Sequence, residues 1–144
     1  MIILDTDHLS ILKYRDGERS IRLMHRLETA RITGDQIGTS VVTLEEQMRG
    51  WLASLAKERR VHRQVTASRE LGNLIEFFRG FYLVPFDDAA ADLFENWNRI
   101  RISSTDRKIA AISIVRNALL LTSNRRDYEQ IPGLRFENWL DDAA

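Results

Sequence analysis

Met1-Ile2-Ile3-Leu4-Asp5-Thr6-Asp7 runs four apolar residues straight into an acidic turn. A short apolar strand ending in Asp places that carboxylate at the carboxyl edge of a sheet, where open α/β sheets keep their ligands. Working outward, three more acids stand at element boundaries: Glu46 just inside a helix start, Asp106 just inside another, and Asp127 beyond the apolar run Ala118 to Leu121. Strands that run parallel present their carboxyl ends on one rim, so Asp5, Glu46, Asp106 and Asp127 are expected to face a common space. Clustered carboxylates raise one another's pKa, and a divalent cation relieves that repulsion.

The alternation of short apolar runs with helical patterns predicts an α/β fold, a parallel sheet with helices on both faces. Ile2 to Leu4 is the first strand, followed by a short helix from about Asp7. Gly17 separates this from a second helix with Ile21, Met24 and Leu27 at amphipathic spacing. Thr33-Gly34-Asp35 turns into a strand over Ile37 to Val42, and a long helix from Thr43 carries Leu44, Met48, Leu52 and Leu55. A further helix is predicted from Arg63 to Phe78, a strand from Phe81 to Phe86, and a helix capped by Asp87 or Asp88 with Ala90, Leu93, Phe94 and Trp97 on one face. Ile109 to Val115 is apolar nearly all round, the pattern of a buried helix. Ala118 to Thr122 reads as a strand, Asn124 to Asp127 as a loop, Pro132-Gly133 as a turn and Leu134 to Phe136 as an edge strand.

Composition narrows the function classes. With 144 residues, 44% hydrophobic, the chain suits one domain over residues 1–144. Lys plus Arg equals Asp plus Glu at 21 each, so no global field draws it to nucleic acid or membrane, and any such contact must be local. The absence of cysteine excludes disulfides, thiolate metal sites and a cysteine nucleophile. No apolar run approaches a membrane span, and no signal-peptide pattern opens the chain, so a cytoplasmic protein without a membrane partner is expected.

Each acid has a plain structural reading beside the chemical one. Asp5 and Asp7 suit the cap of the first helix. Thr43-Leu44-Glu45-Glu46 fits a capping box, Ser103-Ser104-Thr105-Asp106 a looser one, and Asp127 an ordinary charged loop. With oxygen donors, no cysteine and only three scattered histidines (His8, His25, His62), the cation implied by the joint arrangement is a hard one, Mg²⁺ or Mn²⁺.

A wider pattern joins these pieces: Ile3-Leu4-Asp5-Thr6-Asp7; Ser40-Val41-Val42-Thr43-Leu44-Glu45-Glu46 with Gly50; Asp106 followed by Lys108-Ile109-Ala110-Ala111; Leu121-Thr122-Ser123-Asn124 with Asp127; and Pro132-Gly133-Leu134 before Asn138-Trp139. In this order, over nearly the whole chain, it resembles the PIN-domain ribonucleases of the VapC toxin type. The resemblance implies a PIN-like three-layer α/β/α fold around a mainly parallel sheet of four to five strands. It puts Asp5, Glu46 and Asp106 on the catalytic, metal-binding carboxylates, with Asn124 or Asp127 as a further metal ligand. The fourth acidic position of the broader family falls at the neutral Asn124, and Ser103-Ser104-Thr105 stands where relatives often carry glycine.

That resemblance further implies a Mg²⁺- or Mn²⁺-dependent endoribonuclease leaving 5′-phosphate and 3′-hydroxyl ends, an RNA substrate, a homodimer, and a VapB-type antitoxin partner. Thr6, Ser40 and Thr122 are candidates to hold the carboxylates by hydrogen bonds. Arg49, Arg107 and Arg125 are candidates for substrate contact, and from Arg49 to Arg69 six basic residues face one acid, Glu58. Two other readings compete. Asp-x-Asp after an apolar strand also opens haloacid-dehalogenase-type phosphatases, but no lysine follows Thr122 to complete that set. A PIN-like module that binds RNA or protein with weak or no catalysis is the remaining alternative.

Overall fold

A computed structural model describes residues 1–15 and 17–141; the end of the expected 1–144 domain, with Asp142, lies outside the described residues. Strand β1 (Ile2–Leu4) leads into helix α1 (Thr6–Tyr14) and α2 (Gly17–Ile32), then β2 (Ile37–Ser40), α3 (Val41–Lys57) and α4 (Val61–Phe78). After β3 (Tyr82–Val84) come α5 (Asp88–Glu95), α6 (Ser104–Val115), β4 (Leu119–Leu121), the short α7 (Arg125–Tyr128) and β5 (Phe136–Glu137). The sheet order is β3-β2-β1-β4-β5, and every pairing is parallel. Successive strands thus step from β1 outward to β3, then jump back to β4 on the other side of β1. The topological switch point of such a sheet lies between β1 and β4, at their carboxyl ends.

Period-two alternation sends the central strands' side chains to two cores. Ile2, Leu4 and Leu121 pack with Leu9, Leu23, Leu74 and Phe78 on the α1, α2 and α4 side. Ile3 and Leu120 pack with Ile109, Ile112, Ala118 and Tyr128 on the α6 and α7 side. Both faces of β1 are buried, which explains its unbroken apolar run. Gly38 is required where β2 meets β3, because a Cβ there would lie 2.7 Å from the Tyr82 carbonyl oxygen.

Several boundaries differ from the sequence reading. The strand expected over Ile37 to Val42 ends at Ser40, whose hydroxyl accepts the Val42 N–H at 2.9 Å and starts α3 at Val41. The capping box expected at Thr43 is therefore displaced: Thr43 sits buried in the first turn with its hydroxyl unpartnered, and a serine three residues earlier does the capping. Asn124 to Asp127, expected as a loop, winds into α7. Helix α4 starts at Val61 rather than Arg63, and β3 is confined to Tyr82–Val84 within the expected Phe81 to Phe86. The capping expected at Asp87 and Ser103 is present, with Asp87 accepting the Ala90 N–H at 3.0 Å and Ser103 the Asp106 N–H at 3.1 Å. No described helix is long and apolar enough to cross a membrane.

Candidate active site at the sheet switch point

Asp5 follows the last residue of β1 and caps α1. Its Oδ1 accepts the Thr6 N–H at 2.9 Å, and its Oδ2 accepts the Thr122 hydroxyl at 2.9 Å from the end of β4. The side chain is buried, and burial pushes its pKa up to about 6; the charges of Asp7 and Asp106 push the same way, against the lowering effect of the two hydrogen bonds. Asp106 stands in the first turn of α6, half-buried, on the opposite wall. The Tyr128 hydroxyl donates to its Oδ1 at 3.2 Å, and Asn124 Nδ2 approaches its Oδ2 at 3.5 Å. Burial raises the Asp106 pKa, Tyr128 and Ser103 oppose this, and Asp127 and Glu46 add to the rise.

Tyr128 ties the two walls together. Its ring is fully buried against Phe136, and its hydroxyl faces both Asp5 and Asp106. Burial and those two charges drive its pKa far up, so it remains a donor. Asn124 spends its amide on two acids, donating to Asp127 Oδ2 at 3.1 Å as well as toward Asp106. It is a neutral bridge where a fourth carboxylate would add repulsion.

The remaining candidates are placed as follows. Glu46 is exposed on α3, which packs against α6; its carboxylate acts on Asp106 through its charge and makes no hydrogen bond among the described residues. Thr6 contributes its backbone N–H to Asp5, and the Ser40 hydroxyl is engaged in capping α3. Thr122 is the hydroxyl that touches Asp5 directly. Arg49 pairs with Glu45 on its own helix. The Arg107 guanidinium is turned over the Phe94 ring at 4.7 Å and donates to the Trp97 carbonyl at 3.3 Å, joining α6 to the end of α5. Arg125 is 84% exposed with a long 3.5 Å contact to Glu129, which leaves its charge at the surface beside Asn124.

Tyr128, Ser123, Asp7 and His8 did not emerge as site residues from the sequence. Tyr128 has a signal in retrospect, being one residue past Asp127 on the same turn. A polar-tipped aromatic in an otherwise apolar core needs a partner for its hydroxyl.

Among the described residues no three acids or histidines lie close enough to share one ion. The donor chemistry nonetheless fits a hard divalent cation: oxygen atoms only, with two carboxylates whose pKa is raised first by burial and then by neighbouring acids. The expected set of Asp5, Glu46 and Asp106 is thus not closed around one point among the described residues.

The model of the PIN domain matches residues 2–134, and the chain belongs to the PIN-domain family. No curated protein matches the chain significantly. Among solved structures, it is similar to a chain of VapBC2 from Rickettsia felis bound to a promoter DNA fragment, with a TM-score of 0.70, 21% identity, and coverage of 96% of this chain and 99% of that one. A chain of the DNA-bound VapBC from Salmonella typhimurium matches with a TM-score of 0.69, 24% identity and coverage of 96% and 97%. A toxin–antitoxin complex from Klebsiella pneumoniae contains a match with a TM-score of 0.57, 21% identity and coverage of 93% and 95%. At these identities the likeness is one of fold.

Proposed function

We propose that the chain is a Mg²⁺- or Mn²⁺-dependent endoribonuclease and the toxin of a VapBC-type pair. The observation that carries this reading is the juxtaposition of Asp5 and Asp106 at the β1/β4 switch point, facing one tyrosine hydroxyl and both held at raised pKa. Asp5, Asp106 and Glu46 would hold the cation, with Asn124 and Asp127 at its margin. The chemistry supplied by a bound cation is activation of water for in-line attack and neutralisation of charge on the phosphate. Water oxygen adds to phosphorus, the P–O3′ bond breaks, and the products are a 5′-phosphate and a 3′-hydroxyl.

The chain's own groups prepare that step. Thr122 and the Thr6 N–H fix both oxygens of Asp5, so its direction is set by two separate elements. Tyr128 and Asn124 fix Asp106. Arg125 and the basic α3–α4 hairpin offer phosphate contacts without sequence reading. The similarity to chains of VapBC and toxin–antitoxin complexes supports an antitoxin partner.

The test is cleavage of RNA by the purified protein in Mg²⁺ or Mn²⁺ against EDTA, with end-group analysis of the products and Asp5→Asn and Asp106→Asn as controls. Growth arrest on expression, relieved by the neighbouring upstream reading frame, tests the toxin assignment. An RNA-binding wild type that never cuts in either metal defeats the nuclease reading in favour of a non-cleaving PIN-like module.

A further inference from the structure

His8 is fully buried in the first turn of α1, and the reaction proposed above makes no use of it. An imidazole in such a setting costs stability unless both ring nitrogens are satisfied, and here both are. Its Nε2 accepts the backbone N–H of Trp139 at 3.1 Å, which leaves the ring proton on Nδ1, donated to Asp7 Oδ1 at 2.6 Å. Asp7 Oδ2 in turn accepts the Ser123 N–H at 2.8 Å and the Ser123 hydroxyl at 2.6 Å. Three segments far apart in sequence are thereby joined: the start of α1, the β4–α7 loop that presents Asn124, and the stretch after β5.

That last stretch is built to receive the bond. The Thr122 N–H donates to the Glu137 carbonyl at 3.0 Å, extending the β4–β5 pairing to the edge of the site. The Trp139 indole lies under the Arg26 guanidinium at 4.1 Å and donates to Glu137 Oε2 at 2.7 Å. Leu140 is buried, and its N–H goes to Asn138 Oδ1 at 2.9 Å. A leucine at position 8 would fill the volume but leave the Trp139 N–H and Asp7 Oδ1 without these partners; an imidazole fixes which partners meet, since Nδ1 donates to one neighbour and Nε2 accepts from one.

We propose that His8 is a positioning residue that, through Asp7, fastens the 138–140 segment and the Ser123–Asn124 loop to the end of β1, so that the post-β5 segment is part of the support of the carboxylate rim. This rests on the rim being a divalent-cation site. Its test uses readouts other than RNA cleavage, so an inactive wild type defeats the proposed function while leaving this result legible.

In the wild type, amide hydrogen exchange at Ser123 and Trp139 is expected to show one shared opening, with protection factors within about threefold of each other. His8→Asn retains a donor for Asp7 and loses the acceptor for Trp139; His8→Gln retains the acceptor and loses the donor. Each is expected to lower protection at both amides and to weaken Mn²⁺ binding, measured calorimetrically, by about 10-fold, the low end for groups that orient ligands from behind. The proposal is overturned if, in the wild type, Trp139 exchanges more than about 100-fold faster than Ser123. It is equally overturned if the variants fold, lose protection at Trp139 alone and bind Mn²⁺ as the wild type does. Should both variants fail to fold, the wild-type exchange comparison decides.

Discussion

Asp5 and Asp7 stand two residues apart and live in opposite electrostatic worlds. Asp5 is buried with two hydrogen bonds against the burial and the charges of Asp7 and Asp106, and its pKa is pushed up to about 6. For Asp7 burial pushes up as well, but hydrogen bonds from the His8 ring, the Ser123 hydroxyl and the Ser123 N–H outweigh it and hold the pKa down to about 2. A carboxylate supplied with donors is a strut. One whose hydrogen bonds do not offset its burial carries stored charge, available to a cation, and Asp106 on the facing wall shares that state.

The largest break in this comparison is expected from the acids of the rim. Asp5→Asn and Asp106→Asn should each lower metal-dependent RNA cleavage by at least about 100-fold, since each removes a charge that a cation and a phosphate both need. Single-turnover cleavage at saturating Mn²⁺ checks this. Asp7→Asn should leave far more activity, because its carboxylate faces Ser123 and His8 rather than the space between Asp5 and Asp106. Equal losses from Asp5 and Asp7 would remove the distinction between strut and stored charge.

This distinction was only partly legible in sequence. The run Ile2 to Leu4 followed by Asp5 announced a buried parallel strand with an acid at its carboxyl end, because a strand covered on both faces has no alternation to hide. Asp106 was legible from its place in the first turn after Ser103. Strand order was not, for it depends on which apolar runs pair across more than a hundred residues, as β1 does with β4. Nor was the α3 start: Ser40 and Thr43 are both good caps, and the choice fell to the one left in extended geometry at the strand's end. Tyr128 and His8 were invisible because their partners, Asp106 and Trp139, lie 22 and 131 residues away.

Stability should move in opposite directions for the two acids when no metal is present. With a folded pKa raised from 3.8 to about 6, Asp5 favours the protonated fold, and that stabilisation is lost as pH rises through the window from about 4 to 6. Asp5→Asn, a neutral mimic, is expected to stabilise the metal-free protein at pH 7 by about 2–3 kcal/mol and to flatten the slope in that window. With its folded pKa lowered to about 2, Asp7 stabilises the fold above pH 4 and loses this as pH falls toward 2. Asp7→Asn is expected to destabilise at pH 7 by about 2 kcal/mol, urea titrations in EDTA across pH 3–8 being the measurement.

A smaller effect sharpens the account of Asp106. Tyr128→Phe keeps the buried ring and its contact with Phe136 while deleting the hydroxyl that faces both rim acids. Mn²⁺ affinity is expected to fall by about 10-fold with little change in thermal midpoint, as for other groups that orient a ligand from behind. A large drop in midpoint with unchanged Mn²⁺ affinity would make the tyrosine a packing residue.

The smallest contrast separates two arginines beside the site. Arg125 projects into solvent next to Asn124, whereas Arg107 is folded over Phe94 and bonded to the Trp97 carbonyl. An exposed guanidinium held only by a long contact to Glu129 can release counterions when it meets a phosphate; one committed to a ring and a carbonyl contributes by packing. In an Asp106→Asn background that cannot cut, Arg125→Ala is expected to lower the slope of log affinity against log salt for single-stranded RNA by about 0.7, the value of one phosphate contact. Arg107→Ala should leave that slope unchanged and cost about 1 kcal/mol of stability instead, through the lost stacking on Phe94. A salt slope that responds to Arg107 and ignores Arg125 would mean that RNA approaches from the α5–α6 side, across the Phe94 face, rather than over the turn that carries Asn124.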